Sequence, residues 1–298
     1  MELNTHRQVT YLISKPAHFP YLVCSLFTLR KYWDGHIEVH TWPESYEIAK
    51  LIEGDNRLKI HVVKREPKLK DGYGNNSQRL DRIDMSMNLN CGCSLYMDAD
   101  TTIHGKIDRL FNVAELRGFC MTQWSDWTTD QDHVQSKVAD LFDVEDIPND
   151  HVETITTHKW PSVNSGVWAT IPNSQVLPLW YSWTKKCKSL SFSDERVLHL
   201  MMSARSHEVA VCCEYGKYNN SPIFQSQYLK DKDIVVMHYH GNSNVQPDKS
   251  ERGHKLWWPI FKECCDKNVG NIVNWISRCD NSYLNLLLKD KKNFIFCG

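Results

Sequence analysis

The sequence has almost no net charge and no block of one sign. Its 35 Lys and Arg side chains stand against 36 Asp and Glu, leaving −1 over 298 residues. No long Lys/Arg block appears, and the basic patch of Lys64-Arg65 with Lys68 and Lys70 is short and mixed. A nucleic-acid groove carries a stronger basic footprint, so the balance argues against that role. No apolar run is long enough to span a bilayer, and Met1-Glu2-Leu3-Asn4-Thr5-His6-Arg7 lacks the apolar core of a signal peptide. No C-x-x-C pair occurs among the 11 cysteines: Cys91-Gly92-Cys93, Cys212-Cys213 and Cys264-Cys265 have spacings that suit neither a tetrahedral zinc site nor a regular disulfide framework. Reduced, mostly interior thiols in a soluble, cytoplasmic protein are the expectation. Internal repeats, low-complexity tracts and flexible linkers are also missing, which favours one domain over residues 1–298.

What is there is a composition of 41% hydrophobic and 24% charged residues, enough for a sizeable buried core in a chain of this length. Val9 to Ser14 has the β-branched and aromatic content of a strand that ends at Lys15-Pro16, and Ile37 to Thr41 and Ile60 to Val63 read likewise. Leu22, Leu26 and Leu29 recur at helical spacing within Tyr21 to Tyr32; Glu44 to Ile52 and Asn76 to Leu89 are further helical stretches. Strands alternating with helices over the first hundred residues predict a parallel, doubly wound α/β sheet, which binds ligands at the carboxyl ends of its strands.

Ser94-Leu95-Tyr96-Met97 reads as a short buried strand, and Asp98-Ala99-Asp100 follows it at that end. In extended chain residues i and i+2 project to the same side, so the two carboxylates converge on one point. Hard divalent cations take such oxygen ligands with room left for phosphate oxygens. An acidic turn closing a strand has the same pattern. Trp124, Trp127, Trp160, Trp168, Trp180 and Trp183 crowd the middle of the chain, a density that suits either a core or a sugar platform.

Four further segments follow in order: Ile107-Asp108-Arg109-Leu110-Phe111, Val163-Asn164-Ser165-Gly166-Val167, Ser193-Asp194-Glu195 opening an apolar run, and Val235-Val236-Met237-His238-Tyr239-His240-Gly241. With Asp98-Ala99-Asp100-Thr101 they resemble, over residues 8–245, the motif order of GT-A-fold glycosyltransferases, nearest to glycosyltransferase family 8. The resemblance implies a GT-A (Rossmann-like) fold with a mostly parallel central sheet, helices on both faces and a helical C-terminal extension. Residues 1–100 become a nucleotide-binding half, 101–245 a donor-sugar and acceptor half, and 246–298 the extension. The implied activity is transfer of a hexose from a UDP-sugar to an acceptor hydroxyl with retention of anomeric configuration.

Carried over residue by residue, the resemblance makes Asp98, Asp100 and His238 the ligands of Mn²⁺, with Mg²⁺ as substitute, and His240 competes for the imidazole role. It places Arg79, Ala99, Asn164, Ser165, Gly166 and Gly241 at the donor. Arg79 also reads as part of a solvated helix face shared with Arg82, while Gly166 admits close backbone approach. Asp194 matches the aspartate near the anomeric carbon, where a carboxylate stabilises oxocarbenium-like charge or attacks it; an exposed N-terminal helix cap is its plain alternative. Glu195 stands where the family has glutamine, and so either carboxylate can be the catalytic one. Asn244 stands where the family has a diphosphate-holding lysine, for which Lys249 or Lys255 are nearby substitutes. The acceptor is open: glycan, lipid-linked sugar, protein or modified nucleobase. Two rival readings use the same residues. Asp98-Ala99-Asp100-Thr101-Thr102 fits the nucleophile motif of haloacid-dehalogenase-type phosphatases, and the missing lysine permits a non-catalytic binder of nucleotide sugar or glycan.

Overall fold

The computed structural model describes residues 6–68, 77–123, 147–157, 163–187, 193–204, 208–212, 214, 216–222, 233–239 and 251–278. Strand β1 (Arg7–Ile13) is buried from its second residue to its last, as a strand covered on both faces must be. It pairs in parallel with β2 (His36–Thr41) on one side and β4 (Cys93–Met97) on the other, and β3 (Ile60–Lys64) adds in parallel to β2. Between these strands run α1 (Phe19–Leu29), α2 (Pro43–Glu53) and α3 (Ser77–Met87), so the alternation expected of the first hundred residues is present.

The sheet departs from parallel order beyond β4. Next come β5 (Thr101–Ile103), α4 (Asp108–Arg117), β6 (Phe119–Gln123), α5 (Asn149–Thr157), β7 (Val163–Thr170), α6 (Val176–Lys186), α7 (Ser193–Ala204), β8 (Val209–Cys212), β9 (Val236–His238), α8 (Glu251–Asp266) and α9 (Ile272–Arg278). The seven-stranded sheet has the order β3-β2-β1-β4-β7-β6-β8. In it β7 runs antiparallel to both β4 and β6, while β6 and β8 are again parallel. Gly118, at φ +88°, closes α4 and turns the chain straight into β6. A separate two-stranded ribbon joins β5 to β9 in antiparallel register.

Strand pleating divides the core. Val9, Tyr11 and Ile13 of β1 point to the face covered by α1 and α8, together with Ile37, Val39, Leu95, Met97, Trp257 and Phe261. Ten of the eleven residues of α1 are buried, because the helix lies between the sheet and α8 and has no solvent face to spare. The opposite face carries Leu12, Ile83, Met85, Tyr96, Phe119, Trp168, Trp180 and Leu198. There Trp168 stacks on Tyr96 and Phe119 with centroids 5.3 and 5.6 Å apart, and Trp180 meets it edge-on at 5.1 Å. Trp168, Trp180 and Trp183 are therefore core residues and form no sugar platform; Trp124, Trp127 and Trp160 lie outside the described residues. Cys24, Cys91, Cys93, Cys120, Cys187 and Cys264 are buried free thiols, and Cys265 is a half-buried one. Among the described residues no helix is long and apolar enough to cross a membrane.

Candidate active site at the carboxyl edge of the sheet

Two strand pairings bring the acidic turn to its partners. After Met97 the chain leaves β4, and the Asp98 amide donates to Gly166 O of β7 at 2.8 Å. The Thr101 hydroxyl donates to Asp98 O at 2.9 Å, which tightens the turn. In the ribbon Thr101 lies opposite His238, and the Tyr239 amide donates to Asp100 O at 2.8 Å. The backbone register thus sets the imidazole beside both carboxylates. One ligand atom each from Asp98, Asp100 and His238 lie within 4.8 Å of one another. His238 Nε2 is 3.2 Å from Asp100 Oδ1 and 3.6 Å from Asp98 Oδ2. The ring is buried, whereas the two aspartate side chains are 24% and 28% exposed, so the cluster opens on the carboxylate side.

The charges here are strongly coupled. Burial works against a charged imidazole at His238, yet Asp100 and Asp98 outweigh it and raise its pKa. Burial raises the pKa of Asp98, with the charge of Asp100 adding to it and Arg82 and His238 opposing. Tyr96 donates its hydroxyl to Asp98 Oδ1 at 2.6 Å and fixes that carboxylate's rotamer. His18, in the short turn Pro16–His18 after β1, is close enough to feel Asp100 and Asp98, although burial dominates and lowers its pKa.

A second cluster adjoins the first. Asp194, in the first turn of α7, is fully buried. Arg79 Nη1 reaches its Oδ1 at 2.8 Å, the Ser165 hydroxyl donates to its Oδ2 at 2.8 Å, and Arg82 forms an ion pair with Oδ2. The exposed-cap reading of Asp194 is thereby corrected: two guanidinium groups and a hydroxyl compensate a carboxylate that water does not reach. Arg82 also reaches Asp98 Oδ1 at 3.4 Å, bridging the two acidic clusters. It is the more enclosed arginine, since its side chain is 8% exposed against 24% for Arg79, so the solvated-face reading fails for Arg82. Burial and the charge of Arg82 together lower the pKa of Arg79 to about 10.

Glu195 is buried beside Asp194 and accepts from Asn164 Nδ2 at 2.6 Å. One turn along α7, His199 Nδ1 donates to Glu195 O at 2.7 Å and its Nε2 accepts from the Val163 amide at 3.3 Å, pinning the helix start to β7. Asn164 Oδ1 accepts from the Gly166 amide at 2.9 Å and from Asn219 Nδ2 at 3.2 Å. Asn219 Oδ1 in turn accepts from His238 Nδ1 at 2.8 Å. Gly166 leaves space for the imidazole: a Cβ there would sit 2.2 Å from His238 Cε1.

The structure therefore brings together Asp98, Ala99, Asp100, Arg79, Asn164, Ser165, Gly166, Asp194, Glu195 and His238 at one edge of the sheet. His240, Gly241, Asn244 and Lys249 lie outside the described residues, and Lys255 is an exposed residue of α8. Sequence reasoning missed Arg82 as the bridging cation, Tyr96 as a partner of Asp98, and Asn219 behind His238. Arg82 had one signal, its i+3 spacing from Arg79; Asn219 had none.

The mostly parallel sheet with reversed β7, helices on both faces and the Asp-x-Asp turn at its carboxyl edge define a GT-A-type α/β fold. Among solved structures the chain is similar to the galactosyltransferase LgtC in complex with donor and acceptor sugar analogues: 13% identity, TM-score 0.57, 86% of this chain and 95% of that one covered. An active-site mutant of LgtC, glutamine to glutamate, gives 13% identity and TM-score 0.56 over 87% and 95% of the two chains. The glycosyltransferase GlyE of Streptococcus pneumoniae TIGR4 gives 12% identity and TM-score 0.54 over 89% of this chain and 64% of that one. No family model and no curated protein matches the sequence.

Proposed function

We propose that the protein is a metal-dependent glycosyltransferase that moves a hexose from a UDP-sugar to an acceptor hydroxyl with retention. The observation that carries this reading is the convergence of Asp98, Asp100 and His238 at the sheet edge, next to the buried Arg82–Asp194 pair. The donor set fits a divalent cation. Ligand atoms within 4.8 Å of one another can all reach one ion at distances of about 2.0–2.6 Å. Two carboxylates and one imidazole suit Mn²⁺ or Mg²⁺, and the half-exposed side of Asp98 and Asp100 leaves space for phosphate oxygens. When bound, such a cation neutralises the diphosphate leaving group as the glycosidic bond breaks.

The chain's own residues supply the rest. Arg82 holds Asp98 and Asp194 in fixed relation, and Arg79 adds a second positive charge on the same helix face for a phosphate or sugar hydroxyl. Asp194, paired with both arginines and hydrogen-bonded by Ser165, supplies negative charge for the anomeric carbon as it turns cationic; Glu195 is the second carboxylate of that wall. The complex of LgtC with donor and acceptor sugar analogues supports a nucleotide-sugar donor and a glycan-type acceptor among the candidates. The free thiols of Cys24, Cys91, Cys93, Cys120, Cys187, Cys264 and Cys265 support a cytoplasmic location for this one-domain enzyme. The test is a thermal-shift screen of nucleotide sugars with Mn²⁺, followed by NMR assignment of the product linkage. A UDP-hexose that raises Tm only with metal, and a product with the donor's anomeric configuration, are the expected results; an inverted linkage rejects the retention part.

A further inference from the structure

Asn219 lies in the segment between β8 and β9, is fully buried, and spends every polar atom on fixed partners. Its Nδ2 donates to Thr122 Oγ1 at 3.0 Å and to Asn164 Oδ1 at 3.2 Å. Neither partner can reverse its role. The Thr122 hydroxyl gives its own hydrogen to Val167 O at 2.9 Å, and Asn164 Oδ1 is a carbonyl that already accepts from the Gly166 amide. The Asn219 amide is consequently locked with its oxygen toward the imidazole, and an amide oxygen only accepts. The hydrogen between Asn219 Oδ1 and His238 must sit on Nδ1, at an N···O distance of 2.8 Å. That choice leaves the Nε2 lone pair of the neutral ring facing Asp100 and Asp98. In the other tautomer the Nε2 hydrogen would point into the space an ion needs.

We propose that Asn219 is a positioning residue for the cation site: it sets the tautomer and ring plane of His238 so that Nε2 serves as ligand. This rests on the reading of Asp98, Asp100 and His238 as that site. The arrangement has a further consequence. The same amide oxygen of Asn164 that orients Asn219 leaves Asn164 Nδ2 for Glu195, so imidazole and carboxylate are aligned by one directional chain, His238–Asn219–Asn164–Glu195. Outer-sphere hydrogen bonds of this kind typically change metal affinity by about 10–100-fold when removed.

The experiment pairs ring-¹⁵N NMR of His238 in the metal-free protein, at a pH where the ring is neutral, with Mn²⁺ affinity from EPR of the free ion. Wild type is expected to carry its proton on Nδ1. Asn219→Leu should lose that preference and bind Mn²⁺ about 10–100-fold more weakly. Asn219→Asp keeps an acceptor for Nδ1–H but sets its second oxygen against the acceptors Thr122 Oγ1 and Asn164 Oδ1, so it should lose stability yet retain the tautomer; a merely structural role predicts that the tautomer is lost in both variants alike. A wild-type ring protonated on Nε2 overturns the proposal without any variant having to fold, as does an Asn219→Leu protein with unchanged tautomer and affinity. Wild type that shows Nδ1–H but binds no Mn²⁺ overturns the cation reading instead and leaves the tautomer assignment standing.

Discussion

The imidazole of His238 lies against the bare Cα of Gly166, so close that a methyl group on that carbon would fall 2.2 Å from Cε1 and 2.8 Å from Nδ1. The contact joins β7 to the β5–β9 ribbon, and it explains Gly166 through a neighbouring ring of the protein. The atoms that would have to yield belong to a ring held by Asn219 on one side and facing two carboxylates on the other.

Gly166→Ala should therefore displace His238. An overpacked buried site typically costs about 1–3 kcal/mol, and the same shift moves Nε2 away from Asp98 and Asp100. The expected result is a modestly lowered Tm together with a large loss of Mn²⁺ affinity. Calorimetry and an EPR titration on one preparation check this; a variant that binds Mn²⁺ as wild type does shows that the ring has room to spare.

Arg82 and Arg79 should differ sharply on removal. Arg82→Met strips a buried cation from both Asp194 and Asp98, and breaking a buried pair costs about 3–5 kcal/mol. Arg79→Met leaves Asp194 still paired with Arg82 and Ser165 and should cost less, while weakening donor binding. Urea unfolding of the two variants gives the order directly. Equal losses would mean that the bridge to Asp98 contributes nothing.

A pH-dependent contribution to stability sits on β2, two strands away from β4. Glu38 on β2 is flanked by His40 Nε2 at 3.0 Å and His36 Nε2 at 3.4 Å. Burial alone would raise its pKa, but bonds to the two imidazoles outweigh it and bring the value from 4.5 to about 2. A carboxylate with a depressed folded pKa stabilises the fold above its unfolded pKa and loses that contribution as pH falls through the folded one. Burial holds the His40 pKa below its usual value, so the pairing is fullest between about 4.5 and the pH at which that ring gives up its proton. The difference in urea midpoint between wild type and Glu38→Gln should be largest there, shrink below about 4.5 and vanish below about 2. A difference that stays constant over that range contradicts the ion-pair assignment.

Much of the fold was readable because its signals are local. β1, β2 and β3 announce themselves by β-branched runs, and α1 by leucines at helical spacing, so the sheet's parallel half follows from alternation alone. The reversal of β7 is not local: its direction is fixed by pairing with β4 and β6, which Val163–Thr170 does not encode by itself. The acidic turn and His238 stood out through the order of motifs they belong to, since an acidic turn closing a strand has the same pattern on its own. Arg82 and Asn219 escaped notice because their importance lies in partners distant along the chain, Asp98 and Asp194 for one and Asn164 and His238 for the other. The tryptophans show the reverse failing. Aromatic density looks the same in sequence whether rings line a sugar site or, like Trp168 and Trp180, stack inside the core.

The central claim is that Asp98, Asp100 and His238 hold a cation on which nucleotide-sugar transfer depends. Release of UDP from a UDP-hexose, followed with Mn²⁺, with excess chelator, and in Asp100→Asn, tests it most directly. The account predicts turnover with Mn²⁺, none in chelator, and a loss of orders of magnitude in Asp100→Asn, with only a modest change in Tm because this carboxylate is 28% exposed and pairs with His238. Full turnover in chelator, or an Asp100→Asn enzyme as active as wild type, would contradict it.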